Sequence, residues 1–99
     1  FGFTTKTYAE GNPPYIYVKN CTRNQDGSFN KGEGIPLHVY NALNAEKVVW
    51  YYNEQKINQE YGYFKPQSSG TLKAIVWWED GSQDIIKKHI EIKEDEIPL

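Results

Sequence analysis

The chain has 99 residues, which suits one domain and is too short for two. Its formal net charge of -2 at pH 7 argues against a nucleic-acid ligand, because proteins that bind nucleic acids usually carry a basic face. The single cysteine, Cys21, excludes an internal disulfide. The longest apolar run, 74–78, is too short to insert across a bilayer.

The first third of the chain contains short extended segments separated by turn residues. Residues 3–8 have the composition of a short strand, and Pro13 and Pro14 would end it because proline cannot donate to a strand ladder. Residues 15–18 alternate between apolar and polar positions and are predicted to form an edge strand. The polar, glycine-rich stretch 20–34 is predicted to be a long loop.

The middle of the chain resumes the alternation. Residues 35–40 are predicted to form one strand, and 41–46 a connection with room for one helical turn. Residues 47–53 are predicted to form a strand with Val48, Trp50 and Tyr52 on one face. A turn at 54–56 and short strands around Ile57 and over 61–64 follow.

The last third contains the clearest strand, 71–78, in which Leu72, Ala74, Val76 and Trp78 share one face. Asp80-Gly81 between two alternating runs is a strong hairpin signal. The return strand, 83–92, would point Ile86, Ile90 and Ile92 inward, with Lys88 accommodated by a bulge or an edge position. About seven short strands with regularly spaced turns are typical of a β-sandwich.

Several segments between Gly32 and Ile92 resemble the immunoglobulin-like and PKD-like domains of large secreted bacterial proteins. The matching segments are 34–39, 48–53, 69–76 and 85–92, and Trp50 matches the tryptophan that the family places between its sheets. The resemblance implies an all-β, immunoglobulin-like antiparallel β-sandwich of about seven strands. The cysteine pair of antibody domains is missing, and residues 1–31 have no clear counterpart.

The resemblance also implies an organisation and a function. The sandwich would span 13–93, after a linker or N-terminal strand continuing from an upstream domain (1–12) and before a charged tail (94–99). Such domains are non-catalytic accessory modules of secreted or cell-surface proteins, and act as interdomain spacers or protein-interaction modules. A more specific alternative is the C-terminal domain of a secreted metallopeptidase related to bacterial IgA-cleaving enzymes, although the zinc-binding HExxH motif of such enzymes is not in this chain.

No pattern in the chain indicates an active site or a cofactor. His38 and His89 lack the spacing of zinc ligands, and no serine or cysteine lies in a nucleophile motif. The loop from Asn24 to Glu33 has oxygen-bearing side chains at alternate positions, as calcium loops do, but it departs from the EF-hand pattern at Phe29 and Ile35. A flexible polar loop is the preferred interpretation, and a looser calcium loop is the alternative.

The most informative feature is a set of aromatic and aliphatic residues predicted to point away from the core. Val49, Tyr51, Ile75 and Trp77 would share one outer face on adjacent strands, which predicts a surface for a protein or a glycan. The alternative is that this face is buried by a neighbouring domain of the same polypeptide or by residues 1–12. A carbohydrate-binding module would expose a flat platform of two rings, so the exposure of Trp77 distinguishes these hypotheses.

Overall fold

The computed structural model describes residues 13–18, 24–58 and 63–93. Within these ranges the chain is all-β and contains no helix, which confirms the predicted class. No helix able to cross a membrane is found in them. The described strands are β1 (Tyr15–Ile16), β2 (Phe29–Asn30), β3 (Ile35–Pro36), β4 (Val39–Tyr40), β5 (Lys47–Tyr52), β6 (Gln55–Lys56), β7 (Tyr63–Phe64), β8 (Gly70–Trp77), β9 (Gln83–Ile90) and β10 (Ile92–Lys93).

The largest element is an antiparallel sheet of four strands in the order β6–β5–β8–β9. β5 and β8 pair with Trp50 opposite Ala74, and β8 and β9 pair with Ala74 opposite Ile86. The register is unbroken in both pairs, so residues that lie opposite each other share one face across the sheet. Lys88 lies in register opposite Leu72, so the edge position of β9, rather than a bulge, accommodates its charge.

The inward face of this sheet forms half of the core. Leu72 is 1% exposed, and Ala74, Val76 and Ile90 are 0% exposed. Trp50 is half-buried and packs against this core. The predicted inward placement of Val76 and Ile90 is therefore confirmed, and each fully buried aliphatic side chain of this size contributes about 1.5–3 kcal/mol.

Three two-residue ladders provide the other half of the core. β1 pairs with β4 and β3 pairs with β7, both antiparallel, whereas β2 pairs with β10 in parallel. Ile16, Val18, Phe29 and Ile35 from these segments join Leu72 and Ala74 in one buried cluster. The core thus lies between the four-stranded sheet and a layer of short strands, which is consistent with a β-sandwich.

The predicted Asp-Gly hairpin between β8 and β9 is confirmed. The Gly81 N–H donates to the Trp78 carbonyl and the Trp78 N–H donates to the Ser82 carbonyl, both at 2.9 Å. Gly81 has a φ of 87°, as expected where a three-residue loop ends in a left-handed residue. Asp80 Oδ1 accepts hydrogen bonds from the Ser82 N–H and hydroxyl, at 2.9 and 2.6 Å.

The turn between β5 and β6 differs from the prediction. Asn53 and Glu54 have φ values of 49° and 68°, which is the signature of a two-residue type I′ hairpin. The turn therefore begins at Asn53 rather than Glu54, and Gln55 and Lys56 already belong to β6. Glutamate is not a typical residue for this position, so the sequence signal for the turn was weak.

Several other predictions need correction. The segment 20–34, predicted to be loop throughout, contains β2, and the parallel pairing of β2 with β10 departs from the predicted antiparallel sandwich. The predicted strand 35–40 is divided into β3 and β4, which pair with different partners. The structure therefore describes ten strands instead of the predicted number of about seven. The short ones were missed because a two-residue strand has no periodicity that a sequence pattern could reveal.

The segment between β4 and β5 forms turns rather than a helical turn. The Ala45 N–H donates to the Ala42 carbonyl at 3.0 Å. The predictions for residues 1–12, Cys21, residues 61–62 and the tail 94–99 lie outside the described residues.

Candidate functional site

The outward side of the four-stranded sheet carries the four residues predicted to form a binding surface. Val49 lies opposite Ile75, and Ile75 lies opposite Ile85, so three aliphatic side chains form a row across β5, β8 and β9. Tyr51 and Trp77 lie on the same side of the sheet, each two residues along its strand from this row and on opposite sides of it. We call these five residues the outer face. Ile85 is 59% exposed and the other four are half-buried.

A lysine lies over each aromatic ring of the outer face. Lys47 Nζ is 5.3 Å from the centroid of the Trp77 ring, and Lys73 Nζ is 4.8 Å from that of Tyr51. Both distances suit a cation–π interaction, which contributes about 0.5–1 kcal/mol at an exposed site. The aliphatic row is therefore flanked by two aromatic rings, each with a cation over one of its faces.

Glu54 connects the type I′ turn to the outer face. Its Oε2 lies 2.6 Å from Lys73 Nζ. The hydrogen bond and the charge of Lys73 lower the pKa of the Glu54 carboxyl below its ordinary value. Because Glu54 is largely exposed, this ion pair orients the lysine more than it stabilises the fold.

A second aromatic surface, which the sequence interpretation missed, lies on the paired strands β1 and β4. Tyr15 stacks on Tyr40, with ring centroids 5.4 Å apart and an interplanar angle of 17°. Tyr17 and His38 approach Tyr40 edge-on, at 5.5 and 4.5 Å. We call these four residues the tyrosine cluster. Tyr15 is 47% and Tyr17 44% exposed.

The alternation of β1 and the pairing of β1 with β4 create the tyrosine cluster. Ile16 and Val18 point into the core, so Tyr15 and Tyr17 must point outward. Tyr15 lies opposite Tyr40, and the Tyr17 N–H donates to the His38 carbonyl at 3.4 Å. The alternation of 15–18 was visible in the sequence, but its pairing with residues more than twenty positions away was not.

An open depression of about 390 Å³ adjoins the tyrosine cluster and is lined by residues 38–43. The chain turns sharply at its edge, where Asn41 has a φ of 63°, a conformation that asparagine tolerates better than most residues. Asn41 Nδ2 donates to the Pro13 carbonyl at 3.2 Å and so ties β4 to the start of β1. Leu43, on the far side of the turn, is 96% exposed.

Residues of the candidate calcium loop form hydrogen bonds with one another. Ser28 donates to Asp26 Oδ1 from its hydroxyl at 2.7 Å and from its N–H at 2.9 Å, and these bonds lower the pKa of Asp26. Asn24 Nδ2 donates to Ser28 Oγ and to Asn30 Oδ1, at 3.0 and 3.1 Å, and Asn30 Nδ2 donates to Glu33 Oε1 at 2.9 Å. Amide nitrogens thus lie among the oxygens that a cation would need, and calcium binding stays a prediction.

The two histidines lie on different parts of the surface. His38 belongs to the tyrosine cluster, whereas His89 is on β9, where its Nε2 lies 3.4 Å from Glu91 Oε2. In the part of the chain that the structure describes, no three histidine, cysteine, aspartate or glutamate side chains group to hold a metal ion.

Comparisons with protein-family models, with curated proteins and with solved structures found no match for this chain. Its function is therefore argued from the chemistry of its two aromatic surfaces.

Proposed function

We propose that this domain is a non-catalytic, immunoglobulin-like accessory module of a larger secreted or cell-surface protein. It acts as an interdomain spacer that contacts a neighbouring domain of the same polypeptide through the outer face. The observation that carries this proposal is the aliphatic row of Val49, Ile75 and Ile85 between Tyr51 and Trp77. Aromatic side chains within an apolar patch are common anchors of protein interfaces.

The charges around the outer face indicate the nature of the contacting surface. Four lysines lie on the outward side of the sheet: Lys47 is opposite Trp77, Lys56 and Lys73 are opposite Tyr51, and Lys87 is opposite Lys73. The chain as a whole has a net charge of -2, so this basic rim is a local feature. It is complementary to a surface with an apolar centre and an acidic rim.

The lysines also favour a protein contact over sugar stacking at this face. A sugar stacks on an aromatic ring through its C–H groups and needs the face of the ring. Lys47 and Lys73 each place an ammonium group over one face of Trp77 or Tyr51. A carboxylate of a protein partner, in contrast, would pair with the Lys47 ammonium group without displacing it, whereas Lys73 is already paired with Glu54.

Methyl NMR of the isolated domain and of its parent polypeptide tests the proposal. The methyl signals of Ile75 and Ile85 are expected to shift in the parent, whereas those of the inward Val76 and Ile90 stay unchanged. Unchanged signals from both outward isoleucines would contradict a contact at this face.

A titration with the separately expressed neighbouring domain measures the strength of the contact. Trp77→Ala is expected to weaken the association by about 2 kcal/mol or more, as interface anchors do, and added salt is expected to weaken it further. Lys31→Ala is the control, because Lys31 is exposed in the turn after β2. Equal effects of the two substitutions would contradict the proposal.

A further inference from the structure

We propose that the tyrosine cluster and the adjoining depression form a second binding site, which takes a neutral pyranoside chain. The site is on β1 and β4, whereas the outer face belongs to β5, β8 and β9. The inference therefore does not depend on the proposed function of the outer face.

The first argument is the rigidity of the exposed rings. Tyr15 and Tyr17 are close to half exposed, yet both are held by contacts with Tyr40, one stacked and one edge-on. Tyrosine has few rotatable bonds, and rings fixed in advance lose little entropy when a ligand arrives. Two rings held in this way form a preorganised surface for a ligand with an apolar face.

The second argument is the chemistry of the rim. The side chains that surround the rings carry phenolic hydroxyls, the His38 imidazole and the Asn41 amide, and the described lining contains no carboxylate, ammonium or guanidinium group. Hydroxyls and neutral imidazole both donate and accept hydrogen bonds. Sugar hydroxyls do the same, so the rim matches a neutral saccharide better than a sulfated or uronic one.

The third argument is the shape beside the rings. The depression of about 390 Å³ next to Tyr40 has the volume range of a small-molecule site. Leu43 is one of its lining residues and is 96% exposed. A pyranose with equatorial substituents has a C–H face for Tyr15 or Tyr17, and its next residue can extend along the depression towards Leu43.

A proline-rich peptide is the competing occupant, because such peptides also lie in aromatic-lined grooves. Proline residues, however, offer carbonyl acceptors and no N–H donors. The rim of the tyrosine cluster contains acceptors as well as donors, and a saccharide, unlike a run of prolines, supplies hydroxyl partners for both. The observations therefore favour the saccharide.

NMR titration of the whole chain with cellohexaose, chitohexaose and β-1,4-galactohexaose tests the inference. At least one of the three is expected to shift signals of Tyr15, Tyr17 and residues 38–43. No shift with any of them at millimolar concentration, or shifts confined to other residues, would overturn the inference. A titration with decaproline that shifts these signals, while the sugars do not, would overturn it in favour of a peptide site.

Substitutions test the role of the rings. Tyr17→Ala is expected to weaken sugar binding about tenfold, the ratio that corresponds to the loss of one aromatic contact, and Tyr15→Ala is expected to act in the same direction. Tyr17→Phe retains the ring and is expected to lose less than Tyr17→Ala. Lys31→Ala changes an exposed residue that belongs to neither the cluster nor the lining of the depression, and it is expected to bind normally. Unchanged affinity in folded Tyr15→Ala and Tyr17→Ala would overturn the inference and leave the proposed contact of the outer face unaffected.

Discussion

Replacing Gly70 with alanine tests how closely the type I′ turn packs on the sheet. Gly70 begins β8, and a Cβ atom at this position would overlap the side-chain amide of Asn53. That amide has little freedom to move, because its Oδ1 accepts the Thr71 N–H at 2.9 Å. The Asn53 N–H in turn donates to the Thr71 carbonyl at 3.0 Å. Gly70→Ala must therefore displace Asn53 and break the hydrogen bond from Thr71.

The expected cost of Gly70→Ala follows from three contributions. Losing the hydrogen bond costs about 1 kcal/mol, and crowding against the Asn53 side chain costs up to about 1–3 kcal/mol, the range found for overpacked sites. The smaller conformational entropy of the unfolded chain offsets about 0.4–1 kcal/mol of this. We expect the free energy of unfolding, measured by urea denaturation, to fall by about 1–3 kcal/mol.

A double-mutant cycle tests whether the clash with Asn53 causes the loss of stability in Gly70→Ala. Asn53→Gly removes the obstructing amide and tolerates the positive φ at this position. In the Asn53→Gly background, Gly70→Ala is expected to be nearly neutral, which gives a coupling of about 1–3 kcal/mol. Equal costs of Gly70→Ala in both backgrounds would show that Asn53 is not the group that the new Cβ meets.

Three further predictions concern local features. Glu54→Gln is expected to lower the thermal midpoint at neutral pH, because it removes the ion pair with Lys73. Lys73 lowers the pKa of Glu54. The stability that the ion pair contributes is therefore fully present above the ordinary pKa of 4.5 and is lost as the pH falls through the folded-state pKa. A difference that persists in acid would contradict it. Burial, and then the charge of Glu91, raise the pKa of Tyr52 above 10.0. The stability that Tyr52 contributes should therefore be lost as the pH rises through the folded-state pKa. Tyr52→Phe should flatten this decline in thermal melts at alkaline pH. Gly81→Ala is expected to cost about 1 kcal/mol in urea denaturation, because φ is 87° and a Cβ there meets nothing within 4 Å; a neutral outcome would exclude backbone strain as the reason for the glycine.

The long strands could be predicted because their side chains obey one rule over many residues. Alternation over β8 separates Leu72, Ala74 and Val76 from Ile75 and Trp77, and the paired strands repeat the pattern. The Asp-Gly hairpin was predictable for a similar reason, since a glycine with positive φ is a local requirement of the turn.

The short ladders could not be predicted, because two residues define no period and long-range pairing decides their place. Phe29 is 3% exposed in β2, yet it lies in a polar stretch that resembles a loop. The same limit hid the tyrosine cluster: nothing near Tyr15 in the sequence indicates that it stacks on Tyr40. The type I′ turn was placed one residue late because Glu54 is an unusual residue for a left-handed conformation.

The four-stranded sheet has one buried face and one outward face, and the neighbouring residues Trp77 and Trp78 lie on opposite sides of it. Trp78 is 1% exposed and its indole N–H donates to Asp84 Oδ2 at 2.8 Å, whereas Trp77 is half-buried on the outer face. Hydrogen exchange of the indole N–H groups, followed by NMR in heavy water, compares them in the unmodified chain. We predict that the Trp78 indole proton exchanges far more slowly than that of Trp77; equal rates, or faster exchange at Trp78, would contradict the account.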